Sequence, residues 1–243
     1  MWRDDLRGMF YIALKDMRTY YLKPPSISWG IVFPLTWTLA FYLRNPQNFE
    51  QLVPGLIAMT ILFSTTAAEA VVINFELRLG SLERLLLTPI SMSAVLLGKV
   101  VGGAIFGLIM TIAITIGSVL ALGLTNISAF YLALIIVLSL LVFSSLGALL
   151  CLLVKEVFEA QTLLNLPRFI MVFLCGVVYP ISAMPSALQY IAYLLPLTYT
   201  VEGLRQSFSP NPSAVIFIDT LMLMIFFTIF ILPTTKLLRR RFV

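Results

Sequence analysis

The sequence predicts an all-α integral membrane protein with six transmembrane helices. Of its 243 residues, 60% are hydrophobic and only 11% are charged, and the mean hydropathy is +1.01. Soluble domains carry about 25% charged residues, so most of this protein's surface must face lipid. The chain also contains no histidine. Disordered, disulfide-rich and soluble classes are therefore excluded, as are His-dependent catalytic triads and zinc sites.

Long uncharged runs define the six predicted spans, each long enough to cross a hydrocarbon core of about 30 Å. The predicted spans are residues 24–43, 52–75, 99–122, 128–154, 162–180 and 213–235. After the fifth span, Pro180, Pro185 and Pro196 each block a regular helix. Segment 181–212 is therefore predicted to form external re-entrant helices, which enter the membrane partway and return.

The basic residues fall almost entirely on one side of this topology. Six spans place 14 of the 16 lysines and arginines, Arg168 among them, on the side of the termini, and only Arg44 and Arg205 on the other. Because positively charged loops stay in the cytoplasm, both termini are predicted to be cytoplasmic. The expected location is the cell (plasma) membrane.

Residues 1–23 are predicted to form an amphipathic interface helix along the inner membrane surface. Apolar side chains recur at helical spacing, and charged side chains occupy the other faces. The pattern leaves two roles open. The helix either anchors the first span or also contacts a cytoplasmic partner.

The cytoplasmic loop 76–98 is longer than a simple connection between two spans requires. Gly80 ends one helix, Ser81 can cap a short second helix, and Thr88-Pro89 stops that helix. These signals predict a helical hairpin that projects into the cytoplasm. A docking element is the favoured interpretation, and packing on the membrane surface is the alternative.

Two glycine pairs at the start of the third span, Gly98/Gly102 and Gly103/Gly107, have the spacing that lets helix backbones approach closely in lipid. Packing between helices of one protomer is the default interpretation of this motif. The motif does not by itself indicate a dimer interface.

Few residues could perform chemistry within the membrane. Only Glu69 and Asp219 are assigned there as acids, and neither is placed at mid-depth. Glu69 has either a structural role, by pairing or by reaching the membrane surface, or a functional one. The chain has no Walker-type phosphate loop, so it is not expected to hydrolyse ATP itself. No metal site, bound cofactor or nucleic-acid partner is predicted.

Two segments resemble the type-2 ABC exporter permease family, and the resemblance covers nearly the whole chain. Glu76 to Ser91, followed by Leu97-Gly98-Lys99, is similar to the family segment E-x-x-x-G-T-L-E-x-L-L-x-T-P-[IV], with Ser81 where threonine is common. Pro196 to Arg205 is similar to its P-x-T-Y-x-x-x-x-x-R ending.

This resemblance implies a permease subunit that pairs with a separate ATP-binding subunit, which carries ATP and Mg. Such permeases usually work as dimers, which gives two permease and two ATPase chains. The hairpin would fit a cleft on the ATPase, and the N-terminal helix would touch the ATPase too. The implied coupling residues are Glu76, Arg78, Gly80, Ser81, Glu83, Arg84, Thr88 and Pro89. The implied external gate residues are Pro180, Pro185, Pro196, Tyr199, Glu202 and Arg205.

The second and fifth spans offer candidates for the substrate path. These are Phe63, Ser64, Asn74, Phe173 and Tyr179. Their apolar, aromatic and polar uncharged character favours a hydrophobic or amphipathic substrate, with drug, lipid and glycan left open. A secondary carrier or channel that works without an ATPase is the main alternative. Weaker alternatives are an intramembrane enzyme and a structural scaffold. The sequence leaves open whether the partner half is an identical copy or a related chain.

Overall fold

The computed structural model describes residues 2–44, 49–86, 88, 90–123, 127–154, 157–209 and 213–242, and within them the chain forms helices and no strands. The α-helices are α1 (Trp2–Asp16), α2 (Pro24–Ile27), α3 (Phe33–Arg44), α4 (Phe49–Arg78), α5 (Ser81–Leu86), α6 (Met92–Leu122), α7 (Ala129–Leu153), α8 (Val157–Leu174), α9 (Ser186–Tyr193), α10 (Pro196–Ser207) and α11 (Val215–Phe242). The π-helical turns Met17–Tyr21 and Ser28–Val32 extend α1 and α2, and Ile181–Ala183 forms a 3₁₀ turn.

Four helices in the described part of the chain are long and apolar enough to cross a membrane. They are Leu52–Arg78, Met92–Leu122, Ala129–Leu153 and Val215–Arg240. Residues 24–44 are helical throughout, but the π-helical turn Ser28–Val32 divides them. Helix α8 has 18 residues and includes Glu159 and Arg168. These two segments correspond to the first and fifth predicted spans, so the count of six spans stays a prediction.

Helix α4 lies at the centre of the bundle. It packs against α6, α7 and α8, and 94% of its most apolar stretch is buried within the protein. The corresponding stretches of α6 and α11 are only 33% and 17% buried. Helices that are apolar all round yet largely exposed are typical of a lipid boundary, whereas α4 is surrounded by protein.

One end of the bundle gathers the start of the chain, the α4–α6 connection and the end of α11. An apolar cluster there includes Ile12, Leu82, Leu152, Leu164 and Leu238. Because this end also carries α1 and its charged residues, we call it the basic end. The beginning and the end of the described chain thus lie on the same side of the bundle, as an even number of crossings requires.

The glycine pairs of α6 pack against three neighbouring helices, α1, α4 and α7. A Cβ atom at Gly98 or Gly102 would lie 3.1 or 3.2 Å from the nearest Cα atom of α1. A Cβ atom at Gly103 would lie 2.8 Å from Ser144 Oγ of α7. Close contacts of this kind exclude larger side chains. The predicted packing of small residues within one protomer is therefore confirmed.

The fifth predicted span, 162–180, differs from the helix that forms. Helix α8 begins at Val157 and ends at Leu174, before the predicted end. Gly176 adopts φ +78°, a conformation that favours glycine, and its carbonyl oxygen accepts a hydrogen bond from Arg205. The chain turns at this glycine, so Tyr179 lies beyond the helix.

Short helices follow this turn, and prolines begin each of them. Pro180 precedes the 3₁₀ turn, Pro185 precedes α9, and Pro196 is the first residue of α10. Proline is favoured at such starts because its missing N–H group would have no helical partner there. Helix α10 packs against α7 and α11. The predicted interruption of regular helix is present, whereas membrane re-entry remains a prediction.

Candidate functional site

Four charged side chains form a buried cluster at the basic end, which we call the ionic cluster. Lys15 and Asp16 come from the end of α1, Glu76 from α4 and Lys99 from α6. Both lysines are hydrogen-bonded to Glu76, and their Nζ atoms lie 3.0 Å (Lys15) and 3.4 Å (Lys99) from Asp16 carboxylate oxygens. Asp16, Glu76 and Lys99 are at most 2% exposed. Two cations and two anions therefore balance each other and tie three helices together.

The electrostatics at Lys15 favour the charged form. Burial acts to lower the pKa of Lys15, but the hydrogen bond to Glu76 and the charges of Asp16 and Glu76 outweigh it, so this pKa is raised. For Asp16, burial raises the pKa of the carboxyl group even though Lys99 and Lys15 act to lower it. The cluster thus depends on the lysines to keep its buried carboxylates paired.

The position of Glu76 corrects one expectation. The resemblance implies a coupling contact for this residue, but its carboxylate is enclosed in the ionic cluster and is 1% exposed. Helix α4 continues through Glu76 to Arg78, so Glu76 belongs to the long helix and not to a projecting loop. In this structure the side chain fastens α1 and α6 to α4 and presents no surface to a partner.

The remaining coupling candidates lie at or near the surface of the α4–α6 connection. Gly80 has φ +64° and separates α4 from α5, as predicted, while Ser81 is half-buried. Arg78, Arg84 and Thr88 are exposed. Leu82 is 1% exposed and packs into the core, so the apolar side of this connection faces the protein. Pro89 and the side chain of Glu83 lie outside the described residues.

A groove separates this connection from α1. Its volume is about 700 Å³, and its lining residues are Asp4, Arg7, Gly8, Tyr11, Ile12, Lys15, Leu85, Thr88 and Ile90. The Ser91 N–H group donates a hydrogen bond of 2.9 Å to Asp5 Oδ1, and Ser91 Oγ caps α6 by accepting from the Ala94 N–H group at 3.2 Å. We call this feature the α1 groove. Its two walls are joined directly by the Asp5–Ser91 bond.

A second charged group, Arg168, lies deep within the bundle. Its Nε donates to Thr66 Oγ1 at 2.8 Å, its Nη1 donates to Asn165 Oδ1 at 2.9 Å, and its Cζ lies 5.4 Å from the Phe63 ring centroid. The side chain is 1% exposed, and its Nη2 has no hydrogen-bond partner among the described residues. Thr66 and Phe63 occupy the middle of the candidate span Leu52–Arg78, so Arg168 lies at mid-depth.

This placement corrects the sequence analysis, which counted Arg168 with the charges at the side of the termini. The asymmetry becomes 13 basic residues against two, so its direction is unchanged. An arginine at the centre of a spanning helix costs about 2.5–3.5 kcal/mol on insertion scales, which marks it as a functional candidate. The sequence contains one indication that Arg168 has a polar partner on its own helix. Asn165 precedes Arg168 by three residues, which puts two polar side chains on one helix face.

Glu69 of α4 is a further buried charged residue within the bundle. Its carboxylate is fully buried, and its Oε1 accepts a hydrogen bond of 2.7 Å from Ser144 Oγ, while Oε2 has no hydrogen-bond partner. The side chain does not reach the membrane surface. Among the described residues neither Glu69 nor Arg168 forms an ion pair.

The structure does not bring the predicted path residues together. Phe63 is buried within an aromatic cluster, 4.6 Å from Phe33 between ring centroids. Ser64 and Asn74 are also buried, and they donate hydrogen bonds to the α4 backbone at Thr60 and Ala70. Phe173 and Tyr179 are instead 51% and 54% exposed. Three candidates thus lie inside the protomer and two on its surface.

The predicted gate residues lie at the end opposite the basic end. Tyr199 donates a hydrogen bond of 2.7 Å to the Tyr193 carbonyl oxygen, and Arg205 donates to that of Gly176. Glu202 is half-buried on α10, and Asp219 of α11 is 2% exposed. Within the described residues no group of three or more acidic, Cys or His side chains is placed to hold a metal ion.

Comparisons with known proteins agree with this architecture. Residues 8–209 match the ABC-2 type transporter family. The chain is 28% identical to the putative transport permease ycf38 of Cyanophora paradoxa over 85% of this chain and 75% of that protein. It is 28% identical to the inner membrane transport permease YadH of Escherichia coli, over 82% of this chain and 84% of YadH.

A third relative, the probable multidrug ABC transporter permease YbhS of Escherichia coli, is 25% identical over 86% of this chain. The matched region spans 56% of YbhS, so that relative is considerably longer. The family match and the relatives confirm the resemblance carried by the loop and proline motifs. The chain belongs to the ABC-2 type transporter family and is a transport permease.

Proposed function

We propose that this permease forms the path for ATP-driven export of a hydrophobic or amphipathic substrate. ATP and Mg bind to a separate ATPase subunit, and two permease chains combine with two ATPase chains. Family membership supports an ATP-binding partner in general, and the name of YbhS as a probable multidrug permease supports an apolar substrate. The candidate substrates remain a drug, a lipid or a glycan.

The α1 groove is the observation that carries the proposal. It lies at the basic end and is lined by both charged and apolar side chains. Exposed Arg84 is on α5, next in sequence to the lining residue Leu85. Mixed surfaces of this kind suit a protein partner better than lipid. We assign this face to the ATPase, with both termini in the cytoplasm of a cell membrane. The basic residues around it support that orientation.

The movement of the ATPase would reach the membrane-spanning helices through the ionic cluster. Closure of the ATPase pair on ATP pushes the α4–α6 connection and α1, and Glu76 and Lys99 transmit the displacement to α4 and α6. Tighter binding of ATP to the closed ATPase pair supplies the bias between the inward- and outward-open states. This mechanism requires no chemistry from the permease itself.

Charge reversal at Arg84 tests the assignment. The complex is reconstituted with its ATPase in proteoliposomes, and ATP hydrolysis and dye efflux are measured for wild type, R84E and the control R239E. Arg239 is also exposed but lies on α11 and not on the α4–α6 connection. We expect R84E to reduce efflux per ATP by about tenfold, corresponding to about 1.4 kcal/mol of lost coupling. Membrane insertion and the R239E variant should be unaffected.

The opposite results are equally informative. Unchanged coupling in R84E counts against docking at this face. Efflux from liposomes that contain the permease without any ATPase would instead establish a carrier or channel. The mass of the purified complex in detergent tests the stoichiometry of two permeases and two ATPases.

A further inference from the structure

Arg168 has an unused hydrogen-bonding edge. Two of its nitrogens donate to uncharged partners, Thr66 and Asn165, while Nη2 is buried with no partner. In the described part of the chain no carboxylate forms an ion pair with it. A guanidinium group at mid-depth ordinarily pairs with an acid or faces a polar cavity. Within the described residues, the guanidinium charge of Arg168 therefore has no neutralising partner.

A groove lies on the exposed side of α8. Arg168 itself does not line it, but its hydrogen-bond partner Asn165 does. Its volume is about 880 Å³, and its lining residues are Val154, Glu159, Thr162, Leu163, Asn165, Leu166, Phe169 and Ile170. Leu166 and Ile170 are 64% and 41% exposed, which makes the central part apolar. We call this feature the α8 groove. Asn165 both lines the groove and accepts the Arg168 Nη1 hydrogen bond, so it stands between the groove and the charge.

We propose that Arg168 recognises the anionic headgroup of an amphipathic substrate whose apolar chain lies in the α8 groove. A carboxylate or phosphate group would replace Asn165 on Nη1 and take up the unused Nη2, because the guanidinium presents these two nitrogens as a planar fork. The inference rests on the proposed transport function and narrows its substrate class to amphipathic anions.

The charges along α8 favour this occupant over the alternatives. A cationic amphiphile would bring its charge toward an uncompensated arginine in a low-dielectric site, where repulsion is strong. Glu159 is exposed and lies nine residues before Arg168, roughly 13 Å away along the helix, so it can repel an anion only at the far end of the groove. A second permease copy seated on the groove would cover Leu166 and Ile170 but would leave Nη2 unsatisfied.

The purified full-length chain, without an ATPase, provides the test. Tryptophan fluorescence in neutral detergent reports the binding of dodecyl phosphate, laurate and uncharged dodecanol, because Trp29 and Trp37 lie in the aromatic cluster around Phe63. We expect each anionic amphiphile to bind wild type at least about tenfold more tightly than dodecanol. Inorganic phosphate alone should bind far more weakly, which separates an amphiphile site from a free-anion site.

Three variants test whether the preference for anions depends on Arg168. R168Q removes the charge and should bring the affinity for dodecyl phosphate and laurate down to that for dodecanol. R168K should retain part of the preference, since lysine keeps the charge without the fork. R239Q, which removes an exposed charge on another helix, should match wild type.

Several outcomes would overturn the proposal. Equal binding of anions and dodecanol to wild type would do so, as would unchanged anion binding in R168Q. An equal loss of anion and dodecanol binding in R168Q would show that Arg168 only maintains the groove. If R168Q does not fold, the wild-type ratio decides the question alone. Because no ATPase is present, failure here is separate from failure of the R84E coupling test.

Discussion

The ionic cluster differs from the two other buried charged residues, Arg168 and Glu69, in whether the charges are paired. At the basic end, two lysines meet two carboxylates, and the four side chains join three helices. Within the bundle, Arg168 and Glu69 are buried with only uncharged hydrogen-bond partners among the described residues. Balanced charges hold helices together, whereas an unpaired buried charge weakens the fold. The difference separates a structural site from a candidate binding site.

The largest effect is expected when the ionic cluster is broken. Lys99→Met leaves the carboxylates of Glu76 and Asp16 buried with Lys15 as their one cation, so we expect a loss of about 3–5 kcal/mol in the free energy of unfolding. Titration with a denaturing detergent in mixed micelles measures it. Lys236→Met, at an exposed position of α11, is the control and should change little. Equal stability of both variants would show that the cluster does not hold the helices.

Arg168→Met should behave differently from Lys99→Met. The variant loses two hydrogen bonds to neutral partners but also removes an uncompensated charge, so we expect a loss of no more than about 1.5 kcal/mol. The same detergent titration compares the two variants directly. A loss as large as that of Lys99→Met would contradict the distinction between the two regions.

The smallest effect is expected at the outer lysine of the ionic cluster. Lys15 is 40% exposed, so solvent screens its pairs and Lys15→Met should cost about 0.2–1 kcal/mol. Pairing raises the pKa of Lys15 above its ordinary value. Its stabilisation is therefore fully present below the ordinary lysine pKa and is lost as pH rises through the raised value. Unfolding measured at neutral and strongly alkaline pH should show the difference between wild type and variant disappearing, and a constant difference would contradict this.

Local patterns predicted much of the fold. Gly80 ends a helix because its positive φ suits glycine, and the glycine pairs of α6 allow close packing with α1, α4 and α7. Pro180, Pro185 and Pro196 interrupt regular helix after α8, as predicted. These features depend on backbone geometry and on residue size, which a sequence displays directly.

The candidate sites were harder to predict because they depend on which helices meet. Glu76 and Lys99 are separated by a loop in sequence, and only the approach of α1 explains why a family motif residue is buried. Arg168 was assigned to the side of the termini on the rule that charges flank the spans. That rule fails here because α4 supplies Thr66 as a partner at mid-depth. Periodicity along one helix carries no information about such partners.

The Asp5–Ser91 bond and the ionic cluster also have a mechanical consequence. They connect α1 and the α4–α6 connection to the ends of α4 and α6 at several points. We therefore expect these elements to move together. Helix α4 has 30 residues and is therefore about 45 Å long. A tilt of about 5° at the basic end displaces the far end of such a rod by about 4 Å. Under the proposed coupling mechanism, a small tilt at the basic end would therefore displace the opposite end of α4 by several ångströms.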